Sequence, residues 1–205
     1  PATRAGWSAV PEDRILDLQD AVRAAPAGPP TLDAVVAGTL ASGSPGGLPF
    51  RPFLDGDLLD LPTEEALAVG RADGVPLLLG TTAHEFTQAG QSLALLVRGV
   101  DLAALLHRHL GDLAGDYLAA HADLADRPAL VIGQLLTDTT FRTAVPRWAD
   151  GRRGPTWAYD FRYPGPSGLA LHCADLPFAW DHLGAALVAE SDGPNPPQAL
   201  ADAMH

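Results

Sequence analysis

The sequence is poor in the residues on which several classes of protein depend. Cysteine occurs once among its 205 residues, as Cys173, so no internal disulfide can form. This scarcity is typical of proteins from a reducing compartment, and we therefore expect a cytoplasmic protein. The first residue, Pro1, is not a natural start, which leaves secretion open.

Positive charge is also scarce. Lys and Arg number 13 against 25 Asp and Glu, which gives a formal net charge of −12. Nucleic acids and anionic membranes are bound by clustered Lys and Arg, so this balance argues against both as partners. No apolar run reaches the roughly 18 residues of a membrane span. No glycine-rich phosphate loop or zinc-ligand spacing occurs either, and we expect no cofactor and no metal.

The sequence does contain two apolar runs that end in polar segments. Leucines 77–79 lie between a proline and a glycine and predict a short strand buried on both faces, as in parallel sheets. Residues 156–163 predict a second strand. Glu85 lies in the turn after the first run, and His172 lies in a loop after the second. Ligands of open α/β sheets bind beyond the carboxyl ends of the strands, where both residues are expected.

Helical periodicity dominates the rest of the chain. Residues 11–25 predict an amphipathic helix, and residues 63–72 predict a short helix capped by Thr63. Further helices are predicted over residues 102–110, 117–121, 126–146 and 180–188. The alternation of strands with longer helices indicates the α/β class.

The predicted sheet is small for a chain of this length. Besides the two runs above, residues 50–59 predict one extended segment around a tight turn at Asp55 and Gly56. A doubly wound sheet normally has five or more strands. The residues therefore predict an α/β protein with few strands and several helices.

Three stretches carry a resemblance to a known family. They are Gly-Thr-Thr-x-x-Glu at residues 80–85, His-x-x-Asp-Leu-Pro-Phe at residues 172–178, and the Asp-Gly segment around Asp55. In this order they resemble the type-B carboxylesterases, the group of para-nitrobenzyl esterases and cholinesterases. The sequence departs from the family at His84, where Asp is common, and at Phe86, where Gly is common.

The resemblance implies that residues 1–205 are the C-terminal segment of one α/β-hydrolase catalytic domain. The other strands, the oxyanion loop and the nucleophile of such a domain would lie in an N-terminal part that is absent here. The nearest match to a Gly-x-Ser-x-Gly elbow, residues 90–94, follows the acid and has no strand before it, which is the wrong chain order. The Gly/Ser loops at 43–46 and 165–168 have the wrong spacing.

The resemblance gives Glu85 and His172 the roles of acid and base in a Ser-Glu-His triad. The implied activity is hydrolysis of small uncharged carboxylic esters by the full-length protein. Because the nucleophile is missing, the isolated segment is expected to be inactive.

Nearby residues have supporting roles under the same resemblance. The segment of Asp55 and Asp57 is structural, and Asp175 is expected to hold the His172 loop by hydrogen bonds to backbone. Cys173 is expected to pack near the site without reacting. We expect His84 to face solvent or the wall of the active-site gorge.

Other interpretations stay open. Without the family, a lone Glu after a strand is more often a solvated loop residue or a helix cap, and a lone His is more often a surface or hydrogen-bonded residue. The alternative function is a non-catalytic, cholinesterase-like binding or adhesion module. A third possibility is a free-standing small α/β binding domain, which the shortage of strands opposes. If the segment exists alone, we expect a broad apolar face and self-association through it.

Two other clusters have simpler interpretations than function. Three histidines suggest a metal site, but residues two apart on a helix face different ways, so a surface-helix interpretation is favoured for His107, His109 and His121. Core packing is favoured over an acyl pocket for three tryptophans, Trp148, Trp157 and Trp180. Of these, Trp180 is nearest to the His172 loop in sequence.

Overall fold

The computed structural model describes residues 3–23, 31–42 and 52–205. These residues separate into two compact units. The first unit contains residues 3–23 and Pro52, and the second contains residues 31–42 and 53–205. Within these ranges, the helices are all too short or too polar to cross a membrane.

The first unit contains two helices, α1 (Arg4–Ser8) and α2 (Glu12–Arg23). The hydroxyl of Thr3 accepts a hydrogen bond from the Gly6 N–H and caps α1. Helix α2 begins one residue after the predicted start, and the predicted end at residue 25 lies outside the described residues. Its expected apolar face is largely exposed, since Leu18 and Val22 remain 44% and 56% accessible.

The second unit is rich in helix. Its α-helices are α3 (Leu32–Ser42), α4 (Thr63–Ala68), α5 (Leu102–Leu110), α6 (Leu113–Ala120), α7 (Pro128–Thr137), α8 (Ala144–Gly151), α9 (Leu176–Ala179), α10 (Val188–Ser191) and α11 (Gln198–Met204). Tighter 3₁₀ turns occur at Thr87–Leu93 and Ala122–Leu124, and a wider π-helical turn at Asp138–Arg142 joins α7 to α8.

Two parallel strands form the sheet of this unit, β1 (Leu77–Thr82) and β2 (Thr156–Phe161). Leu77 lies opposite Thr156 and Thr82 lies opposite Phe161, so both strands end at the same edge. This small parallel sheet among helices fits a partial α/β fold. Both strands begin at the predicted residue; β1 ends three residues after the predicted leucines, and β2 ends two residues before its predicted end.

The prediction that β1 is buried on both faces is wrong for the described chain. Leu78 is 66% exposed, and Trp157, its partner across the strands, is 57% exposed. The third predicted extended segment is not a strand over its described residues, 52–59. The tight turn predicted at Asp55 and Gly56 is confirmed: the Asp55 carboxylate accepts hydrogen bonds from the Asp57 and Leu59 N–H groups, and Gly56 supplies the positive φ of +76° that the turn needs.

Several helix predictions need correction. Thr63 is the first helical residue of α4 and makes no cap, because Pro62 occupies the N-cap position. Residues 180–188 do not form the predicted helix: Asp181 has a φ of +50°, which interrupts any helix there. The pattern predicted up to residue 146 continues into α8, because Pro146 lies in the first helical turn, where its missing N–H costs no hydrogen bond.

Two apolar clusters hold the second unit together. The larger joins α3, α5, α6 and α7, and its fully buried members are Val36, Leu105, Leu106, Leu124 and Val131. The smaller lies beneath the segment that carries His172 and contains Phe161 and Phe178, whose rings are 5.2 Å apart. The larger cluster therefore supports the helices between the two strands, and the smaller one supports the segment after β2.

Helix α7 approaches the 3₁₀ turn at Thr87–Leu93 through two glycines. A Cβ atom on Gly133 would collide with the carbonyl oxygen of Thr87, and one on Gly90 would collide with the carbonyl oxygen of Ala129. These are backbone atoms, so neither collision is relieved by turning a side chain. The close contact explains why small residues occur at both positions.

We predict that Gly133→Ala lowers the free energy of unfolding by about 2–3 kcal/mol, because the methyl group forces α7 away from the turn. The matched control is Gly115→Ala in α6, where nothing lies within 4 Å of the new methyl group. That control is expected to raise the free energy of unfolding by about 0.5–1 kcal/mol through helix propensity. Denaturant unfolding of both variants checks this, and equal effects would contradict the close contact.

Candidate functional site

Glu85 lies in the turn that follows β1 and is almost completely buried, with 8% of its surface exposed. One carboxylate oxygen, Oε1, accepts a hydrogen bond of 2.8 Å from the Thr82 N–H. The other, Oε2, lies 2.5 Å from Nδ1 of His172. A buried carboxylate needs such donors to offset the loss of water, and Glu85 has one for each oxygen.

His172 lies in the segment after β2, and its side chain is 47% exposed. Its backbone N–H donates to the Glu85 carbonyl oxygen at 3.1 Å, so both main chain and side chain of the two residues are joined. An ionised carboxylate only accepts hydrogen bonds, so Nδ1 carries the proton and the neutral ring keeps Nε2 as an acceptor. This is the tautomer that a general base of a serine hydrolase requires.

Two phenylalanines pack against the His172 ring. The ring centroids of Phe86 and Phe141 lie 4.9 Å and 5.6 Å from that of His172, and the two phenylalanine rings meet edge to face at 4.9 Å. Phe86 occupies the position where the resembled family often has Gly. Sequence reasoning did not predict these contacts, since Phe141 lies far from His172 along the chain.

Helix α7 holds the turn of Glu85 from the other side. The buried side chain of Gln134 donates to the Ala83 carbonyl oxygen at 3.0 Å and accepts from the Thr87 hydroxyl at 2.5 Å. The buried hydroxyl of Thr137 accepts from the Phe86 N–H at 3.0 Å. The backbone on both sides of Glu85 is therefore fixed by α7. The sequence signal was two polar residues within an otherwise apolar helical run.

The π-helical turn that carries Phe141 is anchored by its first residue. The carboxylate of Asp138 accepts hydrogen bonds from the Tyr117 hydroxyl at 2.9 Å and from the Gln134 amide at 2.9 Å. The same carboxylate lies 3.0 Å from Nε2 of His121 and 3.2 Å from Nε of Arg142. Burial, with Asp138 next in importance, raises the pKa of Tyr117 above its usual range, so the phenol remains a donor.

Asp175 supports the His172 segment differently from the prediction. Its carboxylate accepts a 2.7 Å hydrogen bond from the Tyr159 hydroxyl on β2, and its side chain makes no cap to the backbone of α9. The Tyr159 ring crosses over Gly80, where any Cβ would collide with it. Burial first, and then Asp175, raises the pKa of Tyr159 well above its ordinary value.

Cys173 is exposed and adopts a φ of +66°, a strained value for a residue with a side chain. Burial first, and then Asp175, raises the pKa of its thiol, which disfavours the reactive thiolate. Beside it lies an open, mainly apolar depression of about 480 Å³, which is lined by Leu176, Pro177, Trp180 and His182. Trp180 is 70% exposed, so the core-packing interpretation is wrong for this tryptophan, as it is for Trp157.

The serines of the described chain do not form a nucleophile elbow. Ser92 lies in a 3₁₀ turn and donates to the Ala89 carbonyl oxygen. Gly90, two residues before it, packs closely against the Ala129 carbonyl group of α7. Ser167 accepts from the Leu169 N–H within a loop. The Gly/Ser loop at residues 43–46 lies outside the described residues.

The three histidines of the suggested metal cluster have separate partners. His107 meets the Gly111 carbonyl oxygen, His109 meets Asp33, and His121 meets Asp138. Among residues 3–23, 31–42 and 52–205, no group of metal-ligating side chains comes together.

Comparison with known proteins shows a distant similarity to an esterase. The chain is 32% identical over 140 residues to a para-nitrobenzyl esterase of Bacillus subtilis (strain 168). The match covers 65% of this chain and 28% of the esterase, so the chain spans less than a third of that relative's length. No family model matches the sequence. The similarity supports a carboxylesterase-like relationship.

We predict that Thr137→Val lowers the free energy of unfolding by about 1–2 kcal/mol, because the Phe86 N–H loses its acceptor. The matched control is Thr139→Val, since the Thr139 hydroxyl bonds back to the Leu135 carbonyl oxygen of its own helix and does not reach the turn. Thr137→Ser, which keeps the hydroxyl, is expected to recover most of the loss. Denaturant unfolding checks the series, and equal losses in both valine variants would contradict the support of the Glu85 turn.

Proposed function

We propose that this chain supplies the acid and the general base of a serine carboxylesterase. The observation that carries the proposal is the hydrogen bond between the buried Glu85 and His172, each following one of two parallel strands. The distant similarity to a para-nitrobenzyl esterase supports the same class of reaction.

In the proposed reaction, Nε2 of His172 takes the proton from a serine hydroxyl as its oxygen attacks the ester carbonyl carbon. Collapse of the tetrahedral intermediate breaks the bond to the alcohol oxygen, and His172 returns the proton to that oxygen. Water then hydrolyses the acyl-enzyme by the same proton transfers. Glu85 holds Nδ1–H throughout and stabilises the imidazolium that forms at each step.

The serine and the oxyanion donors of this proposal lie in an N-terminal part of the same catalytic domain. The exposed pair Leu78 and Trp157 supports this, because apolar side chains facing out from a two-stranded sheet lack the cover that an α/β layer provides. We propose that further strands and helices of an α/β-hydrolase domain pack there. Without them, the same surface would favour self-association.

The proposed substrates are small uncharged esters. The open depression lined by Cys173, Leu176 and Trp180 is mainly apolar and begins one residue after His172 in sequence, which supports an apolar group on the substrate. The alternative to an enzyme is a binding or adhesion module that keeps Glu85 and His172 but has lost the serine. A chemical probe for the nucleophile separates these two functions.

We predict that a fluorophosphonate labels one serine of the full-length gene product, and that this serine precedes residue 1 of the present chain. His172→Ala removes the base and is expected to slow labelling strongly, since losing one triad member costs up to about 10⁶ in rate. The present chain alone is expected to take up no label. Peptide mapping by mass spectrometry locates the adduct.

The matched control is His107→Ala, because His107 is exposed on α5 and its ring hydrogen-bonds to the Gly111 carbonyl oxygen, away from Glu85 in sequence. That variant is expected to label at the wild-type rate. A well-folded full-length protein that takes up no fluorophosphonate would contradict the esterase proposal and favour the binding module. Labelling of the present chain that His172→Ala removes would contradict the division of the triad.

A further inference from the structure

His84 joins the turn of Glu85 to the segment of His172 by two hydrogen bonds. Its backbone N–H donates to the Ala170 carbonyl oxygen at 3.0 Å. The Ala170 N–H donates in return to Nδ1 of the His84 ring at 3.1 Å. Ala170 is completely buried, so this contact is anchored in the smaller apolar cluster. We expected His84 to face solvent or a gorge wall, but its Nδ1 atom faces the buried backbone of Ala170.

The geometry fixes the protonation state of the His84 ring. A backbone N–H can only donate, so Nδ1 must be an unprotonated acceptor and the neutral ring carries its proton on Nε2. When the ring gains a second proton, Nδ1–H faces the Ala170 N–H and the hydrogen bond is lost. Ala170 precedes His172 by two residues, and His84 precedes Glu85 by one. The contact therefore lies directly beside the Glu85–His172 pair.

The charged groups around His84 come from several elements. Its half-buried ring lines a cleft of about 380 Å³ together with His121 after α6, Asp123, Arg142 in the π-helical turn, and Arg162 after β2. Burial is the largest effect and lowers the pKa of His84. Asp123 opposes this, whereas Arg142, His121 and Arg162 add to it.

We propose that His84 is a positioning residue that holds the His172 segment against the turn of Glu85, and that protonation of its ring releases this hold. Its effect on catalysis rests on the proposed esterase function, whereas the contact itself does not.

The direction of the pH dependence follows from the neutral ring. A histidine with a lowered pKa in the folded chain stabilises the fold fully above its ordinary pKa of about 6.5. That contribution is lost as the pH falls through the lowered value. The hydrogen bond to Ala170 is therefore expected to be intact at neutral pH and to weaken as the pH falls below the ordinary pKa of histidine.

The test measures amide hydrogen exchange of Ala170 in the present chain by NMR between pH 8 and pH 5. Each rate is divided into the intrinsic exchange rate at the same pH to give a protection factor. Wild type is expected to lose roughly tenfold in protection as the pH falls. His84→Asn places an acceptor oxygen near the position of Nδ1 and is expected to stay protected throughout. His84→Leu is expected to show the lower protection of the acid form at every pH, and His107→Leu is expected to match wild type.

The amides of Val131 and Ile132 in α7 are the internal reference, because a general loss of stability would lower their protection as well. Ala170 protection that is equally pH-dependent in wild type and His84→Asn would overturn the proposal, even if His84→Leu does not fold. The readout needs no catalysis. A full-length protein without fluorophosphonate labelling would therefore remove the esterase function and leave the role of His84 in holding the segment intact.

Discussion

The burial of the Glu85 carboxylate is the constraint on which the candidate site depends. With 8% of its surface exposed, this side chain has given up most of its water, and a lone carboxylate in that position would be very costly. Its two oxygens are satisfied by the Thr82 N–H and by His172. The turn after β1 and the segment after β2 must therefore lie against each other, and the two parallel strands bring them together by ending at a common edge.

The long segment that connects the two strands, residues 83–155, supports this arrangement. The crossover brings α7 behind the turn, where Gln134 and Thr137 bond the backbone on either side of Glu85. The π-helical turn then places Phe141 against the His172 ring. The close contact at Gly133 allows α7 to approach the 3₁₀ turn that directly follows the Glu85 turn. The contacts of Gly133, Gln134 and Phe141 thus help to hold Glu85 and His172 in the positions where their side chains form a hydrogen bond.

The sequence located both strands and the residues that follow them, but it was insufficient for features that depend on distant contacts. Apolar runs bounded by proline and glycine located both strands, and the family motifs selected Glu85 and His172. The exposure of Leu78 was mispredicted, because burial depends on what covers a strand and not on its own composition. Phe141 and the Tyr159 partner of Asp175 were missed for the same reason, since each meets its partner only after the chain has folded back.

The central claim is that a buried carboxylate holds Nδ1–H of His172, and proton NMR of the present chain tests it most directly. The account predicts an exchangeable ring proton of His172 far downfield of the backbone amides, because its hydrogen bond to Glu85 is short and charge-assisted. Glu85→Ala is expected to remove this signal, and His107→Ala is expected to keep it. A folded chain whose assigned His172 ring shows no such proton, or keeps it in Glu85→Ala, would contradict the account.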